Sequence, residues 1–179
     1  MNLPNKLTLL RVIMIPAIVV LLLAFQSDGT RIAAGVLFIL ASLTDLLDGK
    51  IARKYHLVTN FGKFMDPLAD KLLVCSILIC CTALDLTPAW AVIIVIAREF
   101  AISGFRLVAV EKGVVIAADW SGKVKTTLQD FWCIGMLFPF PWTWWKVLTN
   151  LMMIGAVVLT VYSFAEYLIK NRSVLSDDQ

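Results

Sequence analysis

Asp45, Asp48, Asp66 and Asp70 stand at helical spacing in two adjoining stretches of an apolar chain. Asp45, Asp48, Gly49, Ala52 and Arg53 fall at offsets 0, 3, 4, 7 and 8, which is one face of a helix. Gly62, Asp66 and Asp70 fall at offsets 0, 4 and 8 and share a second face. The link from Lys54 to Phe61 is short, so the two helices are expected to be antiparallel neighbours whose acidic faces can meet. Four carboxylates in one low-dielectric pocket repel one another and stay ionised only with cations among them. All-oxygen donors suit hard ions, Mg²⁺, Mn²⁺ or Ca²⁺, rather than zinc. Two such ions ~3.5–4 Å apart form a clamp for phosphoryl transfer. Gly49 and Gly62 would let a phosphate or nucleotide approach the backbone closely. Salt bridges to nearby Lys and Arg would account for a single Asp, but poorly for four in register. A proton or cation pathway would account for buried carboxylates, but not for the glycines and basic residues beside them.

The elements that must carry these residues follow from composition. Of 179 residues, 60% are hydrophobic and 16% charged, against about 45–50% and about 25% in ordinary globular domains. That excludes a soluble enzyme, a disordered chain and a disulfide scaffold, and leaves an all-α integral membrane protein of one domain, residues 1–179. A net charge of +3 does not point to a nucleic-acid partner. Six helical segments are expected, at about 7–26, 31–54, 61–84, 88–111, 124–140 and 146–169; a bilayer crossing takes ~20 residues and leaves no other backbone solution. The first has a basic start and an apolar run, but no small-x-small cleavage site follows it, so it reads as a retained span. With the N-terminus in the cytoplasm, every Lys and Arg but Arg31 and Lys146 lies on the cytoplasmic side, which places both termini there. Trp142, Trp144 and Trp145 fall on the opposite side as interface anchors. A five-span arrangement would put Lys170 and Arg172 outside, against the same rule. Several spans are apolar in their outer half and charged in their inner half. Carboxylates inside a span cost ~2.5–3.5 kcal/mol each, so their common depth implies a polar cavity open to the cytoplasm. Cys75, Cys80, Cys81 and Cys133 lie in apolar runs and read as small buried hydrophobes, and His56 reads as a solvated loop residue.

The stretch from Asp45 to Asp70 reads D-x2-D-G-x2-A-R-x8-G-x3-D-x3-D. It resembles the signature of the CDP-alcohol phosphotransferase family at every fixed position. Pro4 to Arg11 is similar to the family's N-terminal segment. Arg98-Glu99-Phe100, Ser103-Gly104-Phe105-Arg106 and Gly122 to Gln129 are similar to one bacterial branch, with Phe105 where Leu is more usual. The resemblance covers nearly the whole chain. It implies a six-helix membrane domain, a homodimer, a bacterial inner membrane and divalent ions between the second and third spans. It implies transfer of the phosphatidyl group of CDP-diacylglycerol to sn-glycerol 3-phosphate, giving phosphatidylglycerophosphate and CMP.

Residue roles are then expected as follows. Asp45, Asp48, Asp66 and Asp70 bind two Mg²⁺ or Mn²⁺ ions, and Asp70 is also the general base for the acceptor hydroxyl. Gly49, Arg53 and Gly62 line the nucleotide, and Asn5 and Thr8 add hydrogen bonds at the cytidine end. Arg98, Arg106, Lys123 and Lys125 are the candidates for the acceptor phosphate, Arg by forked donation and Lys by point charge; each could instead anchor at lipid headgroups. Arg11 reads equally as a snorkelling residue or one that faces the cavity. Glu99 is expected to pair with Arg98 or a neighbour, and Gln129 and Asp130 to line the polar pocket. Serine, inositol phosphate and phosphatidylglycerol are the rival acceptors, and a cation transporter is the rival function. A second acidic pair in residues 90–179, as a repeated transporter half would carry, is not found.

Overall fold

The computed structural model describes residues 2–54, 59–114, 116 and 119–172, with the side chains of residues 3, 4, 46–54, 60, 61 and 63 outside that description. Six helices follow one another: α1 (Leu3–Ala24), α2 (Asp28–Lys54), α3 (Asn60–Ala83), α4 (Ala89–Glu111), α5 (Trp120–Leu137) and α6 (Thr143–Lys170). All regular structure among the described residues is helical.

The six expected segments are present, with their ends moved by local chemistry. α1 begins at Leu3 rather than near 7, because Pro4 sits in the first turn, where its missing N–H costs nothing. It stops at Ala24, and Gln26 turns the chain with φ 41°. Ser27 and Thr30 then cap α2 reciprocally: the Thr30 N–H donates to Ser27 Oγ at 3.2 Å and the Ser27 N–H to Thr30 Oγ1 at 3.1 Å. Asp28 and Gly29 are therefore the first turn of α2 and not part of the break. α5 ends at Leu137, ahead of Phe138-Pro139, since a residue before proline is pushed out of the helical region.

The described residues form two compact units. The first holds α1, α2, α3 and residues 133–141. Its core is Ile15, Ile18 and Leu22 of α1, Phe38 of α2, and Leu73 and Ile77 of α3, with Ala34, Ala41 and Ala69 fully buried among them. Alanines at these contacts let helix backbones approach closely, as membrane helices require. α1 packs on both α2 and α3. Arg31 Nη2 donates to the Met136 carbonyl at 2.6 Å. Gly35 is another close approach: a Cβ there would lie 2.8 Å from Phe138 Cε2 and 3.2 Å from Leu137 Cβ. Gly35→Val is accordingly expected to lose about 1–3 kcal/mol through overpacking. Gly29→Ala, whose Cβ would meet only Ser27 Oγ at 3.9 Å, is expected to be neutral. Thermal unfolding of the two variants in detergent checks the contrast.

The second unit holds α4, residues 120–132 and α6. α4 packs on α6. Ile102, Phe105 and Ala109 meet Tyr167 in one cluster, with the Phe105 and Tyr167 rings edge to face at 5.3 Å between centroids. At one end Ser121 Oγ donates to Glu166 at 2.6 Å, and Lys170 Nζ donates to Glu166 at 2.7 Å and to Asp119 at 3.4 Å.

Large apolar side chains are widely exposed, among them Ile13 (60%), Val20 (52%), Ile93 (65%), Leu151 (59%) and Val158 (59%). Exposed apolar surface on this scale marks a surface that water does not cover. Asn5–Ala24 and Thr143–Lys170 are long and apolar enough to cross a membrane; apart from Arg11 on α1, the charged residues of the two polar clusters described next lie on α2 to α5. Trp142 and Trp144 are exposed and stacked at 5.5 Å at the start of α6.

Candidate active site

The first unit carries the acidic signature. Asp45 lies on α2, and Asp66 and Asp70 lie one turn apart on α3. The Asp45 and Asp66 carboxylates are close enough to repel one another. Asp45 Oδ1 is 2.7 Å from Arg11 Nη1, and the Arg11 side chain is fully buried. Arg11 Nε also donates to the Ala41 carbonyl, one turn before Asp45, at 3.3 Å. Arg11 therefore points inward, which resolves the two readings its sequence position allowed. Asp66 Oδ1 accepts from the Thr8 hydroxyl at 2.6 Å, and Thr8 is buried.

Around Gly62 three oxygens gather. A Cβ there would lie 3.3 Å from Asn5 Oδ1, 3.4 Å from Thr59 Oγ1 and 3.5 Å from Asp66 Oδ2. Thr59 is the N-cap of α3: its Oγ1 accepts from the Gly62 N–H at 3.0 Å and its hydroxyl donates to Asn5 Oδ1 at 2.9 Å. One cap thus ties the start of α3 to α1 and fixes the buried Asn5 beside the acidic face. Asn5, Thr8, Gly62, Asp45 and Asp66 are brought together here. Asp70, half-buried on the same face as Asp66, has contacts of its own. Asp48, Gly49 and Arg53 lie on α2, but their side chains are outside the described residues, as is His56. Among the described residues no three His, Cys, Asp or Glu side chains gather into an ion site by themselves. The donors that do gather, two carboxylates with amide and hydroxyl oxygens, are of the kind that hard divalent ions take.

The second unit has a polar cluster of its own. Glu99 accepts from Arg98 Nη1 at 3.1 Å and from Lys125 Nζ, so one carboxylate faces two cations. Lys125 is buried, and Arg98 and Glu99 are nearly so. Arg98 Nη2 donates to Ser163 Oγ at 3.3 Å. It also lies 3.4 Å from where a Cβ on Gly122 would be, so Gly122 gives the guanidinium its place against α5. Gln129 is buried, and its Oε1 and Arg98 Nε have no partner among the described residues. Arg106 is exposed, with Cζ 5.9 Å from the centroid of the Tyr167 ring. Lys123 is exposed. Of the four cations read as acceptor ligands, Arg98 and Lys125 share one cluster and Arg106 and Lys123 stand at the surface of this unit.

A model of the CDP-alcohol phosphatidyltransferase family matches residues 1–162. The chain belongs to this family. A Bacillus subtilis protein named CDP-diacylglycerol--glycerol-3-phosphate 3-phosphatidyltransferase is 45% identical, over 97% of this chain and 97% of its own length. Proteins of the same name from Rickettsia typhi and Shigella flexneri are 44% and 36% identical, over 73% and 98% of this chain and 72% and 98% of theirs. The family resemblance read from the signature is thus borne out over nearly the whole chain.

Residues that the sequence reading left out of the site are Thr59 and Ser163; Arg11 was left open between interface and cavity, and the pairing expected of Glu99 with Arg98 is present. Thr59 carried a usable signal, a capping residue directly before a helix. A lone Arg in an apolar span also flags function, but gives no partner.

Proposed function

We propose that the protein transfers the phosphatidyl group of CDP-diacylglycerol to sn-glycerol 3-phosphate, giving phosphatidylglycerophosphate and CMP. The observation that carries this reading is the 45% identity along 97% of both chains to a relative bearing that reaction's name. The gathering of Asn5, Thr8, Asp45, Gly62 and Asp66 around one acidic site supports it.

The acceptor hydroxyl attacks the β-phosphorus of CDP-diacylglycerol. The bond from that phosphorus to the bridging oxygen breaks, and CMP leaves. Asp70 takes the hydroxyl proton. Asp45, Asp48, Asp66 and Asp70 would hold two Mg²⁺ or Mn²⁺ ions, which would supply positive charge to neutralise the diphosphate and the departing CMP. Gly62, with Gly49 and Arg53, receives the nucleotide, and its lack of a side chain keeps the space bounded by Asn5, Thr59 and Asp66 open. Thr8 holds Asp66 through Oδ1. Arg98, Arg106, Lys123 and Lys125 bind the acceptor phosphate. The protein works as a homodimer in a bacterial inner membrane, crossing it six times, with the active site and both termini cytoplasmic; the excess of Lys and Arg on that side supports the orientation.

The test is CMP release by purified protein in detergent with CDP-diacylglycerol and Mg²⁺, comparing glycerol 3-phosphate, serine, inositol phosphate and phosphatidylglycerol. Release with glycerol 3-phosphate alone is expected. Release with a different acceptor would keep the acidic site and overturn the assignment of the basic residues. Arg106→Gln is expected to raise the KM for glycerol 3-phosphate about 10- to 100-fold, the worth of a charge-assisted hydrogen bond, with little change in that for CDP-diacylglycerol. Equal changes in both would make Arg106 structural.

A further inference from the structure

We infer that Arg11 is a positioning residue for the divalent-ion site, acting through Asp45. The inference rests on the acidic residues being ion ligands, as proposed above. Among the described residues of the first unit, Arg11 is the charged side chain buried most completely, in an otherwise apolar stretch of α1. An arginine in such a place is costly and persists when the fold uses it. Among the described residues, its guanidinium meets α2 at Ala41 and Asp45. Nε donates to the Ala41 carbonyl at 3.3 Å, and Nη1 lies 2.7 Å from Asp45 Oδ1. The first contact fixes the plane of the guanidinium against the helix backbone. The second pairs one oxygen of the carboxylate with a guanidinium whose orientation the first contact already sets.

Two consequences follow for Asp45. With Oδ1 engaged by Arg11, Oδ2 is the oxygen turned to an ion, so Asp45 donates through one oxygen in a fixed direction. Arg11 also places a permanent positive charge behind a group of aspartates that repel one another, which keeps the ligand set assembled before ions arrive. Thr8 does the corresponding service for Asp66 from the same helix, one turn earlier. α1 thereby acts as the element that orients the carboxylates of α2 and α3, and Arg11 itself need touch neither ion nor substrate. Partners behind metal ligands are commonly worth 10–100-fold in metal affinity.

The test uses Arg11→Lys, which keeps the charge and loses the fork, and Arg11→Gln, which loses both. Mn²⁺ binding to the detergent-purified full chain is followed by electron paramagnetic resonance, with thermal unfolding measured alongside. Arg11→Lys is expected to stay folded, to weaken Mn²⁺ binding about 10-fold or more and to broaden the bound-ion spectrum as Asp45 loses its orientation. Turnover at saturating Mn²⁺ should recover in large part, while the apparent metal requirement moves up. Folded Arg11→Lys with unchanged Mn²⁺ affinity and spectrum would overturn the inference. If Arg11→Gln unfolds, the lysine variant still decides. Failure of the unaltered protein to bind Mn²⁺ would instead reject the ion site itself, so the two failures are told apart.

Discussion

Asp70→Asn is expected to lower kcat by ~10²–10⁴-fold, the range supplied by a positioned general base, while CDP-diacylglycerol still binds. The substitution is nearly isosteric and keeps a hydrogen-bonding side chain on α3, so the helix and its contacts with α1 should persist. What it removes is the capacity to take a proton from the acceptor hydroxyl. The loss should appear in kcat for every acceptor concentration, because proton acceptance belongs to the chemical step and not to ground-state binding. Turnover with glycerol 3-phosphate, together with equilibrium binding of CDP-diacylglycerol, separates the two. Near-normal turnover would remove Asp70 from the role; lost binding would make it a ligand alone.

Glu99→Ala is expected to destabilise the protein by about 3–5 kcal/mol, as removal of one partner from a buried ion cluster does. Glu99 faces Arg98 and Lys125 together, and the side chains of all three are mostly or wholly withdrawn from water. Taking it away leaves two neighbouring cations without the carboxylate between them. They repel, and Lys125 has little access to solvent to relieve the cost. Glu99→Gln retains an oxygen that accepts a hydrogen bond and should lose less. Denaturant or thermal unfolding in detergent, comparing Ala, Gln and unaltered protein, gives the order. Equal stability of all three would show that Glu99 is not the counter-ion of this cluster.

The acidic site was legible because its residue types are out of place. Aspartates at i, i+3 and i, i+4 in apolar runs, separated by a short link, gave both helices from spacing, and Asp45 and Asp66, which lie near one another, belong to that set; the Asp48 side chain lies outside the described residues. The helix order followed from the same apolar runs; Pro4, Ser27 and Phe138-Pro139 moved the ends of α1, α2 and α5, while α5 and α6 also begin a few residues earlier than expected, at Trp120 and Thr143. Partner choice was not legible. Thr59 reaches Asn5 across 54 positions and Lys125 reaches Glu99 across 26; such pairs depend on how the helices pack. Arg11 was ambiguous for a physical reason: a long cationic side chain in a span can reach the interface or turn inward, and only the carboxylate waiting at Asp45 decides it.

The transfer itself is tested most directly by following the acceptor into lipid. Purified protein is incubated with CDP-diacylglycerol, Mg²⁺ and radiolabelled sn-glycerol 3-phosphate, and the organic phase and free CMP are measured together. Label entering a phospholipid that carries both phosphates, in equal amount to the CMP released, is the expected result. CMP release without label in the lipid would mean hydrolysis or another acceptor, and would contradict the proposed reaction.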